Sequence, residues 1–223
     1  MNNNLFLTKR FIKNNNNNNN NNWLVILTTA ININYKNDDE DMNKRRNLYV
    51  QQIYKWLTYT NFDIVVVEST GMGFPKINHP RLHKYVISLP IYETSSLSEA
   101  ESLLYILNEI KDEQYYLRCS HIIKVTGRYY LNDIVNTLKK SKNNCDFYIQ
   151  IHKDDSIKWQ NTEYYGIRKN LLVPFLLTLR KTKKLMENEF YIFIHKYNFN
   201  ITKIGPFENN IVRGGDGLII NPL

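Results

Sequence analysis

The run Lys124-Val125-Thr126-Gly127-Arg128-Tyr129-Tyr130 places two cationic side chains around a glycine. A planar guanidinium grips a phosphate through two parallel N–H donors, an ammonium acts as a point charge, and a glycine lets backbone come close to a ligand. An anion site and a plain turn with a solvated arginine share this spelling, and the residues alone divide evenly between them. Glu187 and Glu189, in Met186-Glu187-Asn188-Glu189-Phe190, offer carboxylates that could take a proton from a hydroxyl. A helix dipole favours glutamate in a first turn for its own reasons. Spaced two apart, they point to different helix faces, so at most one reaches a given cleft. Asp216, within Arg213-Gly214-Gly215-Asp216-Gly217, is a third acid, and a simple Gly-Asp-Gly turn accounts for it equally well. Tyr129, Tyr164 and Tyr165 could stack on a base or sugar, though core packing is the commoner use of tyrosine.

The usual signatures of other chemistries are missing. Gly71-Met72-Gly73 lacks the third glycine of a dinucleotide loop, and there is no Gly-Lys-Ser/Thr triplet for a P-loop and no Gly-x-Ser-x-Gly elbow. His79 and His83 are four apart, but Pro80 between them spoils the helix that a metal pair would need. The two cysteines, Cys119 and Cys145, exclude a disulfide scaffold or a cysteine-built metal module and read as free, buried thiols.

These residues need elements to carry them. Trp23 to Ala30 is a continuous β-rich apolar run that suits a strand buried on both faces, and Asp63–Glu68 is a second. Acidic Asp38–Asp41 opens a helix that reaches about Tyr59, with Tyr49, Ile53, Trp56 and Leu57 on its buried side. Tyr85–Leu89 reads as a weaker strand. Ser96-Leu97-Ser98-Glu99 fits a capping box, as does Ser98 to Glu101, opening a helix that continues to about Glu113. His121–Val125 is the fourth strand, followed by a short helix over Leu131–Lys139, a fifth strand over Asp146–Ile151 and a further strand over Glu163–Ile167. A helix over Asn170–Lys183 comes next, and the tail from Ile201 reads as irregular. Strands alternating with helices predict right-handed βαβ units and a mainly parallel sheet, in which ligands bind beyond the C-terminal strand ends.

Residues 1–22 stand apart. Asn14–Asn22 is an unbroken asparagine tract that buries nothing, so a disordered leader is expected there and one domain over 23–223. Leu5-Phe6-Leu7 is too short for a signal-peptide core, and no apolar run approaches the roughly 20 residues of a membrane span. A cytoplasmic location is expected. The chain has 29 basic and 21 acidic residues, a net charge of +8. That excess suits a polyanion partner, but the abundance of Asn, Lys, Ile and Tyr matches AT-rich codon usage and explains it as well. No dense basic stripe or RNA-binding signature supports nucleic acid as the partner.

The stretch from His121 to Leu138 resembles one region of GT-A glycosyltransferases, where an apolar strand ends in Lys-x-Asp-x-Asp-x-aromatic before a short helix. Here Thr126-Gly127-Arg128 stands where the acidic motif would be. That Lys-x-Thr-Gly-Arg-Tyr form is similar to a set of uncharacterised glycosyltransferase-like proteins of large DNA viruses and microbes. Trp23–Thr29, Arg45–Trp56 with Asp63–Glu68, Glu99–Ile110, Glu163–Arg168, Met186–Phe190 and Arg213–Gly217 resemble further parts in the same order. The resemblance implies a GT-A-like α/β domain that moves a sugar from a nucleotide-diphosphate donor to a hydroxyl of a glycan, protein or lipid. It implies donor binding by Thr28, Thr29, Glu68, Lys124, Thr126, Gly127, Arg128 and Arg213, an acceptor side at Tyr164, Tyr165 and Gly166, and a base among Glu187, Glu189 and Asp216. In the family the two aspartates hold Mn or Mg. Their absence leaves Lys124 and Arg128 to supply positive charge, or Asp154-Asp155 after the fifth strand to hold the metal. The same absence suits a non-catalytic relative that binds a phosphorylated or carbohydrate ligand, and a basic nucleic-acid-binding protein is the remaining alternative.

Overall fold

The computed structural model describes residues 23–33, 38–132, 134–140, 145–150 and 160–205, with the backbone of two short strands at 211–212 and 219–220. The expected leader, 1–22, lies outside the described residues. Seven strands form one mixed sheet: β1 (Trp23–Thr29), β2 (Asp63–Glu68), β3 (Leu82–Val86), β4 (His121–Thr126), β5 (Phe147–Gln150), β6 (Tyr164–Arg168) and β7 (Ile201–Ile204), in the order β3-β2-β1-β4-β6-β5-β7. β1, β2, β3 and β4 run parallel, β6 is antiparallel to both β4 and β5, and β7 is parallel to β5. Strands β8 (Ile211–Val212) and β9 (Ile219–Ile220) pair with each other.

The continuous apolar runs are explained by the layers. Leu24 and Ile26 of β1 face α2 (Ser95–Glu109), α5 (Lys169–Thr182) and α6 (Met186–Lys196), while Trp23, Val25 and Leu27 face α1 (Asp39–Tyr59) and α4 (Ile134–Lys140). Side chains alternate across a strand, so a strand covered on both faces must be apolar at every position. Burying both faces drives the fold, at about 25 cal/mol per Å² of apolar surface. Among the described residues no helix is long and apolar enough to cross a membrane.

Four expectations about local structure are corrected. The third strand covers Leu82–Val86 rather than Tyr85–Leu89. It is an outer strand with one buried side chain, so its pattern marks its limits poorly. The helix expected to reach Glu113 stops at Glu109, and a separate short α3 (Gln114–Arg118) follows. Its N-cap is Thr94, whose side chain accepts from the Leu97 N–H, so neither expected capping box forms and Glu99 is released for another role. The tail is not irregular from Ile201, because β7 pairs there with β5.

Candidate active site

A cavity of about 1140 Å³ opens where β1 and β4 end, between those strand ends, the N-terminal turn of α2 and the start of α6. This is where a parallel sheet presents ligand-binding groups. Lys124 shows how its lining is built. The side chain is only 1% exposed and lies on the α2 side of β4, opposite Tyr165 of β6. Its ammonium makes a 2.6 Å ion pair with Glu99, donates to the Thr162 carbonyl at 2.7 Å and reaches the Thr126 hydroxyl at 3.4 Å. An ammonium has three N–H donors, and all three are engaged. Glu99 also accepts from the Thr28 hydroxyl at 2.5 Å, so the pair ties β1, β4 and α2 together. Charge that the sequence offered to a donor is neutralised inside the protein.

Arg128 behaves differently. The turn that carries it closes with the Tyr129 N–H on the Thr126 carbonyl at 3.0 Å and is pinned to β1 by the Gly127 N–H on the Thr28 carbonyl at 2.8 Å. The indole N–H of Trp56 holds the Tyr129 carbonyl from the other side. Arg128 is half-buried on the cavity wall; its Nε is shielded from solvent yet has no hydrogen-bond partner, and no carboxylate pairs with it among the described residues. Gly127 does not itself line the cavity. A Cβ there would sit 2.4 Å from Thr29 Cγ2 and 3.3 Å from a ring carbon of Tyr49, so glycine is required by the packing of the turn on β1 rather than by a ligand.

Of the acids, Glu187 lines the cavity and its carboxylate accepts from the Thr162 hydroxyl at 3.1 Å. Glu189 does not. It is buried on another face of α6, with the Lys184 ammonium 3.5 Å from one oxygen but no hydrogen bond to that atom. The α6 N-terminus gains its cap from α2, because the Ser96 hydroxyl accepts from the Met186 N–H at 3.0 Å, and this contact fixes Glu187 relative to the α2 wall.

Thr28, Thr29 and Thr126 line the cavity as expected from their strand ends. Glu68 does not reach it. Fully buried, its carboxylate accepts from the backbone N–H groups of Ile31, Thr70 and Met72 and from the Thr70 hydroxyl, and so shapes the loops after β1 and β2. Tyr164, Tyr165 and Gly166 also lie off the wall. Tyr165 is fully buried between Phe175 and Phe190, Tyr164 is in the opposite core layer, and Gly166 is pressed against the Tyr148 ring. Burial pushes both tyrosine hydroxyls up, away from any acid–base role. Arg213, Asp216, Asp154 and Asp155 lie outside the described residues.

Three wall residues carried no assignment from sequence. Glu99 was readable only as a cap. Glu163 accepts from the Tyr129 hydroxyl at 3.2 Å, and Arg45 of α1 reaches the end of β1. Each meets partners far along the chain, which no local pattern signals. No group of three potential metal-ligating side chains exists among the described residues.

No family model and no curated protein sequence matches this chain. Its structure is similar to that of a glycosyltransferase involved in the glycosylation of the major capsid of PBCV-1, with a TM-score of 0.52 over 81% of each chain at 6% identity. It is equally similar, at 0.52, to a protein assigned as a nucleotide-diphospho-sugar transferase from Desulfovibrio desulfuricans G20, covering 82% of this chain and 80% of that one at 10% identity. At such identities the likeness is one of fold, and the fold is a GT-A-like α/β domain.

Proposed function

We propose that this protein is a transferase that uses a nucleotide-diphosphate sugar and delivers the sugar to a hydroxyl acceptor. One observation carries the reading. Arg128, with a buried Nε that has no partner, and Glu187, a carboxylate held by a single neutral hydroxyl, line the same cavity at the strand ends of a GT-A-like sheet. An anion-binding donor and a proton acceptor across one cleft are what glycosyl transfer needs.

In the proposed reaction Glu187 takes the proton of the acceptor hydroxyl as its oxygen attacks the anomeric carbon. The bond from that carbon to the diphosphate breaks, and the leaving nucleoside diphosphate gains negative charge. Arg128, carried by a turn pinned to β1, stabilises that charge, an effect worth most where water is excluded. Lys124 acts indirectly: its grip on the Thr162 carbonyl holds the segment whose hydroxyl orients Glu187. Thr28, Thr29 and Thr126 stand beside the donor.

The test is a panel of UDP- and GDP-sugars, read by thermal shift for binding and by release of nucleoside diphosphate for turnover. A bound donor raises the melting temperature by mass action. Glu187→Gln should keep donor binding and lose about 10²-fold or more in turnover, the range for a general base. Binding without turnover in the wild type would favour a ligand-binding relative, which the lost acidic motif also suits. No binding of any nucleotide sugar would reject the reading.

A further inference from the structure

Arg45 lies on the same cavity wall as Arg128, in the second turn of α1. Its Nε donates to the Ala30 carbonyl at 3.0 Å and one terminal nitrogen donates to the Tyr49 hydroxyl at 2.9 Å. Both acceptors are neutral, and among the described residues no carboxylate pairs with Arg45. Two contacts fix the guanidinium in place and leave its charge uncompensated, with further N–H donors unspent out of five. Tyr49 links the two arginines. Its hydroxyl holds Arg45, and its ring packs beside Gly127, the residue before Arg128.

Arg45 and Arg128 line one cavity, neither in an ion pair among the described residues, and an anion held between them would meet both charges directly, which the carboxylates that share the lining, Glu93, Glu99, Glu163 and Glu187, do not. A single phosphate needs one planar fork, whereas a diphosphate offers two phosphates and more charge. Lys124, the third cation of the wall among the described residues, is already matched by Glu99. We infer that Arg45 is a second donor-binding cation, so that Arg45 and Arg128 together select a diphosphate over a monophosphate without a metal between them. This rests on the donor reading above and extends it by a residue and by a selectivity.

The experiment is titration calorimetry in EDTA with uridine and guanosine di- and monophosphates, and with inorganic pyrophosphate beside phosphate. Wild type, Arg45→Ala, Arg45→Gln and Arg45→Lys are compared, and melting temperatures report folding. Wild type should prefer the diphosphate or pyrophosphate. Arg45→Ala and Arg45→Gln should lose about tenfold in diphosphate affinity, the scale of one charge-assisted hydrogen bond, and about twofold or less for monophosphate. Arg45→Lys should regain part of the loss, since it keeps the charge without the fork. Equal weakening of both ligands, or a lower melting temperature with selectivity intact, would show a purely structural Arg45 and overturn the inference. Arg45-dependent pyrophosphate binding with no nucleotide binding would uphold the two-cation site and reject the nucleotide-sugar donor. No binding of any of these ligands would overturn both.

Discussion

Lys124 and Arg128 lie four residues apart at the end of one strand, and the sequence presents them as equivalent cations. Lys124 points into the layer under α2, where Glu99, Thr162 and Thr126 use its three donors. Arg128, carried past the strand end by a turn pinned to β1, keeps a buried Nε with no partner and, among the described residues, forms no ion pair. A formal charge becomes available to a ligand only when the fold leaves it uncompensated. The Lys124–Glu99 pair, its lysine buried and its glutamate on the cavity wall, is a structural strut, and the turn arginine is left with unused charge.

The contrast can be broken most forcefully at the strut. Lys124→Met strands Glu99 without its cation and the Thr162 carbonyl without its donor, and is expected to cost about 3 kcal/mol or more in urea unfolding. Replacing Glu99 by Leu in the same chain should return much of that loss, because a buried pair often exchanges for apolar packing at little net cost. Additive losses in the double variant would mean that the two residues do not act as a pair. Next is the turn's seat on β1. Gly127→Ala drives a methyl to within 2.4 Å of Thr29 Cγ2 and should destabilise by about 1–3 kcal/mol, with loss of anion binding as Arg128 is displaced. Unaltered stability and binding would show that the turn tolerates movement.

A smaller effect sharpens the comparison with a third buried basic group. His121 is held neutral, its Nε2 bonded to the Cys145 carbonyl at 2.8 Å and its Nδ1 to the Ser120 hydroxyl at 2.9 Å. Burial is the main cause that lowers its pKa, with Arg168 adding to it, while the Cys145 carbonyl and Asp146 oppose. The unfolded chain therefore binds a proton that the native one resists. Stability should fall as pH drops below about 6.5, the ordinary histidine value, and His121→Gln should flatten that slope. A slope unchanged by the substitution would assign the acid sensitivity elsewhere. Smallest is the exposed fork of Arg180 on Glu101, both N···O distances 2.5 Å with the arginine side chain 48% exposed. Arg180→Ala should cost about 1 kcal/mol at most, since water screens such pairs. A loss approaching that of Lys124→Met would undo the distinction between buried and surface charge.

Sequence alone made β1, β2 and β4 legible, because strands covered on both faces must be apolar throughout. It misplaced β3 and missed β7, which lie at the edges of the sheet where one-sided burial leaves a faint pattern. At the site, Thr28, Thr29, Thr126 and Arg128 lie on the cavity wall, and Glu187 reaches it where Glu189 does not. Position alone could not tell that Glu68 turns toward the loops, or that Lys124 meets Glu99 across the α2 packing. Those outcomes depend on which partners tertiary structure brings within reach. Tyr164 and Tyr165 were ambiguous for the same reason, and the core took both.

The most direct test is the affinity of Arg128→Ala for a nucleotide-diphosphate sugar in EDTA, with wild type alongside. Removing the unpartnered guanidinium should weaken binding by about 1.5–3 kcal/mol, the worth of a hydrogen bond to a charged group. The melting temperature should barely move, because a substitution that strands no buried partner stays within about 0.5 kcal/mol. EDTA should leave wild-type binding intact. Binding abolished by EDTA and untouched by Arg128→Ala would contradict this outright, placing the positive charge of the site on a metal rather than on the arginine.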